Sequence, residues 1–275
     1  MKHIARALGD AARQLEKTSD TARLDAELLM ADALHIDRDK LILSPPDRKV
    51  PDRFWSMVER RKSGEPVAYI TGRRAFWNIE LHVGPGVLVP RPDSEVLISS
   101  AIEHFDGSAG PSRILDLGTG PGTLLLAAVD IWPEATGLGI DVSRRALSYA
   151  SANARRLGFE GRIKLTQGDW AKGLAESFDL VLCNPPYVPE GAEVGPGVRE
   201  YEPDEALFAG REGLDAYREL APQLPRLLSP GGLAAIEIGF DQADAVTSLL
   251  ARDGLKAAVA QDLAGRARAV LLTWA

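Results

Sequence analysis

The stretch that decides the fold is RILDLGTGPG, residues 113–122. Its first half is a short apolar run typical of a buried strand, and TLLLAAVDIW, which follows the stretch, is long enough for a helix. Between them, Gly118, Gly120 and Gly122 let the backbone turn sharply and come close to a ligand. The order strand, glycine loop, helix predicts the first unit of an open sheet that binds a ligand beyond its strand ends.

Strand and helix patterns keep alternating after this stretch. ATGLGID, RIKLTQ, FDLVLC and GLAAIEIG are typical of strands, and SRRALSYASANARRLG and LDAYRELAPQLPRLL of helices. The last run, KAAVAQDLAGRARAVLLTW, contains two strand patterns around a turn. We therefore expect an α/β fold, with a mostly parallel, Rossmann-like sheet that ends in a C-terminal antiparallel hairpin.

The chain before this domain has a different pattern. Residues 1–65 contain helical patterns only, whereas AFWNIELHVGPGVLVPRP alternates like a strand on both sides of a Gly-Pro-Gly turn. The predicted domains are a small helical bundle over residues 1–75, a linking β-hairpin over residues 76–92 and the α/β domain over residues 93–275.

Composition narrows the class of protein. The net charge of −7, from 39 acidic and 32 basic residues, argues mildly against nucleic acid, although a local basic patch could still bind it. No apolar run approaches the roughly 20 residues that a membrane span needs, and the N-terminus lacks a signal-peptide core. One cysteine, Cys183, excludes an internal disulfide, and four scattered histidines make a structural metal site improbable. We expect a cytoplasmic protein without a metal or a membrane contact.

Two acidic residues near the glycine loop indicate the kind of ligand. Asp116, at the end of the first strand, is awkward for a pyrophosphate and suits a cation, and the spacing is G-x-G-x-G rather than G-x-G-x-x-G. Asp141 ends the second strand, where a carboxylate can accept both ribose hydroxyls. A positively charged nucleoside without phosphates, such as S-adenosylmethionine, fits. From the loop alone, a nucleotide-dependent enzyme or unused glycines remain open.

QGDW, after the third strand, predicts an adenine site. Asp169 could accept from the exocyclic amine and Trp170 could stack on the ring, although Trp170 could equally fill the core.

LCNPPYVP, residues 182–189, places an amide, two prolines and a phenol at the end of the fourth strand. Proline has no N–H, so the Asn184 side chain and the Pro185 carbonyl can both accept from a substrate –NH2, while Tyr187 offers an aromatic face. Holding both hydrogens on acceptors makes a delocalised nitrogen more nucleophilic and orients it toward a methyl donor. The alternative is a tight turn that only ends the strand. Cys183 is expected to be a buried small residue, not a nucleophile.

Several segments together resemble one known family. GEPVAYITGRRAFW, VLVPRPDSEVLI, RILDLGTGPG, GDW, NPPYVP, VREYEP and LSPGGLAAIEIG resemble the HemK/PrmC family of release-factor glutamine methyltransferases, from about Gly64 to the C-terminus and more weakly before it. Pro121 stands where that family often has a threonine. The resemblance implies transfer of a methyl group from S-adenosyl-L-methionine to the glutamine amide of the Gly-Gly-Gln motif in class I peptide-chain release factors. It also implies that the helical bundle docks the release factor, and nothing demands more than a monomer.

The motifs and the resemblance give the predicted site. The predicted catalytic residues are Asn184, Pro185 and Tyr187, and the predicted substrate-binding residues are Asn184, Pro185, Pro186 and Tyr187. The predicted cofactor-binding residues are Asp116, Gly118, Thr119, Gly120, Pro121, Gly122, Asp141, Asp169, Trp170 and Asn184. Residues 189–213 are hypothesised to shape the substrate entrance, ordered by Arg199 and Glu202, and Phe76 and Arg91 to line the glutamine channel.

Two other functions are weighed against this one. A methyltransferase for amino groups of adenine or guanine in nucleic acid shares Asn-Pro-Pro-Tyr, but it predicts a basic face and a target-recognition element that this sequence does not reveal. A non-catalytic binding module predicts a damaged glycine loop or loss of Asn184, and both are intact.

Overall fold

The computed structural model describes residues 2–44 and 46–275, so Met1 and Pro45, which fall in the predicted helical domain, lie outside the described residues. The chain forms two compact units. One comprises the chain up to Arg73 together with Glu193–Glu202, and the other comprises Arg74–Ala192 and Pro203–Ala275. Within the described ranges, no helix combines the length and apolarity needed to cross a bilayer.

The first unit is helical, as predicted. Its helices are α1 (Lys2–Leu15), α2 (Ala22–Leu34), α3 (Arg38–Leu43), α4 (Asp52–Lys62) and α5 (Val67–Thr71). They enclose a core whose fully buried members include Ile4, Leu15, Leu29, Met30 and Phe54.

Helix α2 also buries three carboxylates, and each is paired with arginine. Asp25, Glu27 and Asp32 are all 6% exposed. Their ion pairs join Asp25 to Arg61 at 2.7 Å, Glu27 to Arg23 and Arg38 at 2.7 Å each, and Asp32 to Arg53 at 2.6 Å and Arg73 at 2.9 Å. Because an unpaired buried charge is costly, these pairs specify how the arginine-bearing segments pack on α2.

Residues 193–202 belong to this helical unit, although they lie in the long segment after the Asn-Pro-Pro-Tyr motif. They contain the short helix Val198–Tyr201, α9 in chain order. Gly197, at φ +79°, packs directly on the Gly64 backbone, and the Tyr201 hydroxyl donates to the Ser63 carbonyl oxygen at 3.4 Å. Glu202 is only 4% exposed, which fits the hypothesis that it helps to order the segment.

The linking hairpin lies earlier than predicted. Its strands are β1 (Arg73–Phe76) and β2 (Ile79–His82), and Trp77, at φ +52°, occupies the turn between them. The prediction of a hairpin over residues 76–92 that turns at Gly-Pro-Gly is therefore wrong. Pro85 and Gly86 do form a turn, but no strand follows it directly. Gly84 and Gly86 also lie where a Cβ would clash with a side chain of a later helix.

The second unit is built on a seven-stranded sheet. Its strands are β3 (Arg113–Leu117), β4 (Thr136–Asp141), β5 (Ile163–Gln167), β6 (Phe178–Cys183), β7 (Leu228–Glu237), β8 (Leu255–Gln261) and β9 (Ala267–Trp274). Their order is β5-β4-β3-β6-β7-β9-β8. The first five are mutually parallel, whereas β9 is antiparallel to both β7 and β8. The predicted fold class is confirmed.

Helices connect and cover these strands. They are α6 (Glu95–His104), α7 (Thr123–Ile131), α8 (Arg144–Arg156), α10 (Asp215–Leu220), α11 (Leu224–Leu227) and α12 (Ala243–Leu250), with 3-10 turns at Pro92–Ser94 and Asp204–Ala206. Leu115, Val181 and Ile236 are fully buried, as is Tyr217 of α10. This packed sheet is the rigid support on which the site described below is built.

The Gly197 contact makes a prediction about the 193–202 segment. An alanine at Gly197 would add the strain of a positive φ and a clash with the Gly64 carbonyl, whereas alanine at Gly191, φ +84°, would add the strain with nothing within 4 Å. A clash of this kind costs on the order of 1–3 kcal/mol. We expect trypsin to cleave after Arg199 about tenfold faster in Gly197→Ala than in Gly191→Ala. Equal cleavage rates in the two variants would contradict this packing.

Candidate active site

The register of three parallel strands assembles the site. Leu117, the last residue of β3, pairs with Ile140 of β4 on one side and with Cys183, the last residue of β6, on the other. The residues that follow these positions are Gly118, Asp141 and Asn184, from the three motifs singled out in the sequence. Because neighbouring strands lie about 4.8 Å apart, the motifs meet at one edge of the sheet.

The glycine loop is held against the end of β4. The backbone N–H groups of Gly118 and Thr119 both donate to the Ile140 carbonyl, at 2.8 and 3.0 Å. Gly118 has φ +70°, and a Cβ there would lie 3.7 Å from the Trp170 ring and 3.9 Å from the Asn184 carbonyl oxygen. The first glycine thus leaves room between the predicted adenine site and the predicted amide site.

Gly122 has a different task from the other two glycines. It lies at φ +89°, where α7 begins, and a Cβ there would lie 2.7 Å from Leu126 Cδ1. It does not line either cavity described below. Its small size serves the packing of the helix rather than contact with a ligand.

A first cavity opens beside the loop. Six of the predicted residues line it: Gly118, Gly120, Asp141, Trp170, Asn184 and Pro186. The segment after the hairpin contributes Gly86, Val87 and Leu88, and the 3-10 turn contributes Glu205 and Ala206. Its walls combine a carboxylate, an indole and backbone groups of a glycine loop, which are the groups that a nucleoside requires.

Asp141 is fixed in the wall of this cavity by backbone donors. Its Oδ2 accepts from the Gly120 N–H at 2.8 Å, and its Oδ1 accepts from the Ser143 N–H, also at 2.8 Å. Burial raises the pKa of this carboxyl, while the two N–H groups oppose that rise. Each carboxylate oxygen has a further lone pair, so the group can accept from a pair of neighbouring hydroxyls.

A second cavity adjoins the first. The two share Leu88, Gly118, Gly120 and Asn184 as lining residues. The lining unique to the second includes Asp116, Thr119 and Pro121 of the loop region, and Pro90, Arg91 and Ser94 upstream of it. The shared wall at Asn184 places this residue between the two spaces.

Asp116 contributes an unsatisfied buried oxygen to the second cavity. The residue is 1% exposed; its Oδ2 accepts from the Thr119 hydroxyl at 2.7 Å and from the Leu125 N–H at 3.2 Å. Among the described residues, its Oδ1 has no hydrogen-bond partner. Burial raises the pKa of this carboxyl to about 7. A cationic ligand would both satisfy the orphaned oxygen and stabilise the ionised carboxylate.

The two predicted adenine-binding residues lie in different surroundings. Trp170, at φ +49°, lines the first cavity and also packs against the hydrophobic core, so both positions considered for it apply. Its stacking on adenine stays a prediction. The Asp169 side chain is 53% exposed and pairs with Lys172. Asp169 is not among the residues that line either cavity.

Side chains from two other segments hold the Asn-Pro-Pro-Tyr motif through hydrogen bonds. Asn184 Nδ2 donates to Ser94 Oγ at 3.1 Å, and the Tyr187 hydroxyl donates to Glu237 Oε1 at 3.3 Å. Burial raises the pKa of the Tyr187 phenol, so it acts as a donor rather than as a base. Pro185 is buried, and neither Pro185 nor Tyr187 lines the two cavities, whereas Pro186 lines the first.

Some residues of the site were not assigned roles from the sequence. Ser94 and Glu237 lie in the quoted segments VLVPRPDSEVLI and LSPGGLAAIEIG, and an acidic residue within an apolar strand was the available signal for Glu237. Asn153 of α8, fully buried, donates through Nδ2 to the Pro121 carbonyl at 2.9 Å and to the His82 carbonyl at 3.0 Å. It ties the glycine loop to β2, and nothing in its helical sequence context indicated this contact.

Three further residues can be placed. Cys183 is fully buried, and burial raises the pKa of its thiol well above the usual value, which fits the expectation of an inert small residue. Arg91 lines the second cavity, whereas Phe76, 2% exposed, lines neither. Within the described ranges, no three or more metal-ligating side chains cluster where they could hold a metal ion.

Comparison with known proteins covers both units. Residues 6–72 match a family model described as the PrmC N-terminal domain, and residues 110–253 match a methyltransferase domain. The release factor glutamine methyltransferase of Caulobacter vibrioides is 42% identical over 259 residues, which are 92% of this chain and 89% of that protein. The one from Moorella thermoacetica is 39% identical over 98% of this chain and 97% of its own length.

A solved structure supports the fold alone. A methyltransferase from Pyrococcus furiosus aligns with a TM-score of 0.55 at 18% identity, over 80% of this chain and 96% of that one.

These matches confirm the predicted methyltransferase class, with S-adenosylmethionine as its cofactor. Similarity at this level over nearly the whole length settles the relationship, and the chain belongs to the family of release factor glutamine methyltransferases.

Proposed function

We propose that this chain methylates the side-chain amide nitrogen of the glutamine in the Gly-Gly-Gln motif of class I peptide-chain release factors. The observation that carries the proposal is the position of Asn184, which lines both cavities beside the glycine loop. Family membership supports the substrate, because relatives that match over most of this chain carry the name of that activity.

The two adjoining cavities fit S-adenosyl-L-methionine. In the first, Asp141 would accept from the ribose hydroxyls and Trp170 would face the adenine. In the second, Asp116 Oδ1, buried without a partner among the described residues, would meet positive charge. When bound, the cofactor supplies a methyl group activated by the positive sulfonium to which it is attached.

The residues of Asn-Pro-Pro-Tyr would prepare the substrate nitrogen. An amide nitrogen is a weak nucleophile because its lone pair is delocalised into the carbonyl. Asn184 Oδ1 and the Pro185 carbonyl would accept its two hydrogens and aim the lone pair at the methyl group, and Tyr187 would provide an aromatic face. This is catalysis by orientation and preorganised dipoles. It requires no strong base, because the nitrogen becomes strongly acidic as it gains the methyl group and its excess proton passes to water.

The wider setting of the reaction is proposed on the same basis. The helical unit would dock the release factor, and residues 189–213 would shape the entrance for its glutamine-bearing loop. The enzyme would act as a monomer in the cytoplasm, without direct contact to nucleic acid or membrane.

Mass spectrometry of a class I release factor after incubation with the enzyme and S-adenosylmethionine tests the proposal. We expect one added methyl group, located on the glutamine of Gly-Gly-Gln, and none on a release factor in which this glutamine is replaced by alanine. Parallel incubations with DNA and RNA test the alternative substrates. Methyl transfer to nucleic acid with an unmodified release factor would overturn the proposal.

The role of Asn184 predicts a large loss of rate. In Asn184→Ala the substrate nitrogen loses a preorganised acceptor, so we expect kcat to fall by about 10²–10³-fold. The control is Asn78→Ala, since Asn78 is exposed in the hairpin turn and lines neither cavity. Full activity of Asn184→Ala in a steady-state methylation assay would refute the role.

The cavity lining predicts unequal effects at two aspartates. Replacing Asp141 by asparagine removes the charge that strengthens hydrogen bonds from ribose, and we expect the calorimetric Kd for S-adenosylmethionine to rise about tenfold. The exposed Asp169 serves as the comparison, and Asp169→Asn should change Kd less than about twofold. An equal loss for Asp169→Asn would instead support its contact with the adenine amine.

The raised pKa of Asp116 predicts that cofactor affinity depends on pH. Because the ionised carboxylate attracts a cation and the free enzyme has a pKa of about 7 at Asp116, binding should weaken as pH falls below 7. We expect Kd to rise by up to about tenfold per pH unit, with proton release on binding measured by calorimetry in two buffers. Asp116→Asn should flatten this dependence, leaving only the contribution of Asp141. An unchanged pH profile in that variant would exclude Asp116 as the titrating group.

A further inference from the structure

A buried carboxylate lies behind the Asn-Pro-Pro-Tyr motif, outside the roles assigned above. Glu237 ends β7 and is 1% exposed. Its Oε1 accepts from the Tyr187 hydroxyl at 3.3 Å. The Ser94 hydroxyl lies near the same carboxylate and lowers its pKa, and among the described residues Glu237 Oε2 has no hydrogen-bond partner and is available to accept from it. One acidic group therefore contacts a residue of the motif directly and a second residue, Asn184, through Ser94.

The direction of these hydrogen bonds follows from the chemistry of the groups. An ionised carboxylate can only accept, so in any hydrogen bond between the two groups Ser94 donates its single proton to Glu237. The Ser94 oxygen is then left as an acceptor, and Asn184 Nδ2 donates to it at 3.1 Å. Turning the Asn184 carboxamide over would set Oδ1 against a hydroxyl oxygen that has no proton to give.

The surroundings of Glu237 combine burial with a nearby cation. Arg268 is 7% exposed, and its Nη2 lies 3.1 Å from Asp93 Oδ2 and 3.3 Å from Asp262 Oδ2. Burial raises the pKa of Glu237 to about 7, while the Ser94 hydrogen bond and the Arg268 charge oppose the rise. The group is therefore largely ionised in mildly alkaline solution.

We infer that Ser94 and Glu237 are positioning residues that fix which way round the Asn184 carboxamide lies, with its oxygen toward the substrate amide. The inference rests on the proposed function, since only a substrate –NH2 needs an oxygen at this place. A flipped carboxamide would present a donor to the substrate hydrogens and repel them. The inference also gives a role to Ser94, in a segment of the sequence that the mechanism had not used.

The first test is kinetic, at about pH 8, where Glu237 is mostly ionised. Leaving Asn184 Nδ2 without its acceptor in Ser94→Ala should lower kcat about tenfold to a hundredfold, the equivalent of one lost buried hydrogen bond. Glu237→Gln should lower kcat similarly. A neutral amide can both donate and accept, so it no longer fixes the direction of the hydrogen bonds that join Asn184 to Ser94 and Ser94 to residue 237. Ser94→Thr, which keeps the hydroxyl, should retain most of the rate.

Two controls separate positioning from a loss of structure. Ser99→Ala removes a hydroxyl that, among the described residues, donates to the Val96 carbonyl alone, and it should leave kcat, thermal stability and cofactor affinity unchanged. In the Asn184→Ala background, Ser94→Ala should have no further effect, because the residue through which it acts is gone. Likewise, the double variant of Ser94→Ala and Glu237→Gln should be no slower than the worse single variant.

The second test does not depend on substrate. In nitrogen-15 NMR, the side-chain amide protons of Asn184 should exchange with solvent more slowly than those of Asn78, and Ser94→Ala should abolish this protection. Wild-type rates in both single variants, equal losses with and without Asn184, or an unprotected Asn184 amide would each overturn the inference. Failure of the wild-type enzyme to methylate any release factor would instead overturn the proposed function, and the NMR result would still decide whether the chain holds Asn184.

Discussion

Parallel pairing of β3 with both β4 and β6 is the constraint on which the site depends. Because Leu117 pairs with Ile140 and with Cys183, the glycine loop, Asp141 and Asn184 emerge side by side although up to 66 residues separate them in sequence. The hydrogen bonds from Gly118 and Thr119 to the Ile140 carbonyl then hold the loop to the neighbouring strand. A slip of register would separate the motifs and move the strand side chains to the opposite face.

Two buried carboxyl groups, Asp116 and Glu237, lie near this edge of the sheet and differ in what they contact. Asp116 keeps one oxygen without a partner among the described residues and lines a cavity, which suits a ligand that brings positive charge. Glu237 lies behind the motif and contacts Tyr187 and Ser94. Burial raises the pKa of both groups to about 7. Glu237 Oε2 likewise has no partner among the described residues, but Glu237 lines neither cavity, whereas Asp116 lines the second.

Elements with strong local sequence patterns were predicted well. Elements that depend on close contact between segments far apart in sequence were not. The alternation from β3 to β9 indicated the sheet, because apolar runs and glycine stops are properties of the sequence itself. The hairpin was misplaced because the Gly-Pro-Gly sequence does form a turn, at Pro85 and Gly86, but no strand follows it directly. Gly84 and Gly86 are also required by side chains from a later helix. Similarly, residues 193–202 join the helical unit through the contact of Gly197 with Gly64, which local composition does not encode.

The sequence by itself determined the fold class, the family and the motif residues, since strand periodicity, loop glycines and Asn-Pro-Pro-Tyr are local signals. Only the tertiary structure decided which of those residues reach the cavities: Asp141 and Trp170 do, whereas Asp169 turns to Lys172. It also decided that Ser94, Asn153 and Glu237 support the site from behind. Their partners lie between 32 and 90 residues away along the chain, and contacts over such separations arise only from packing.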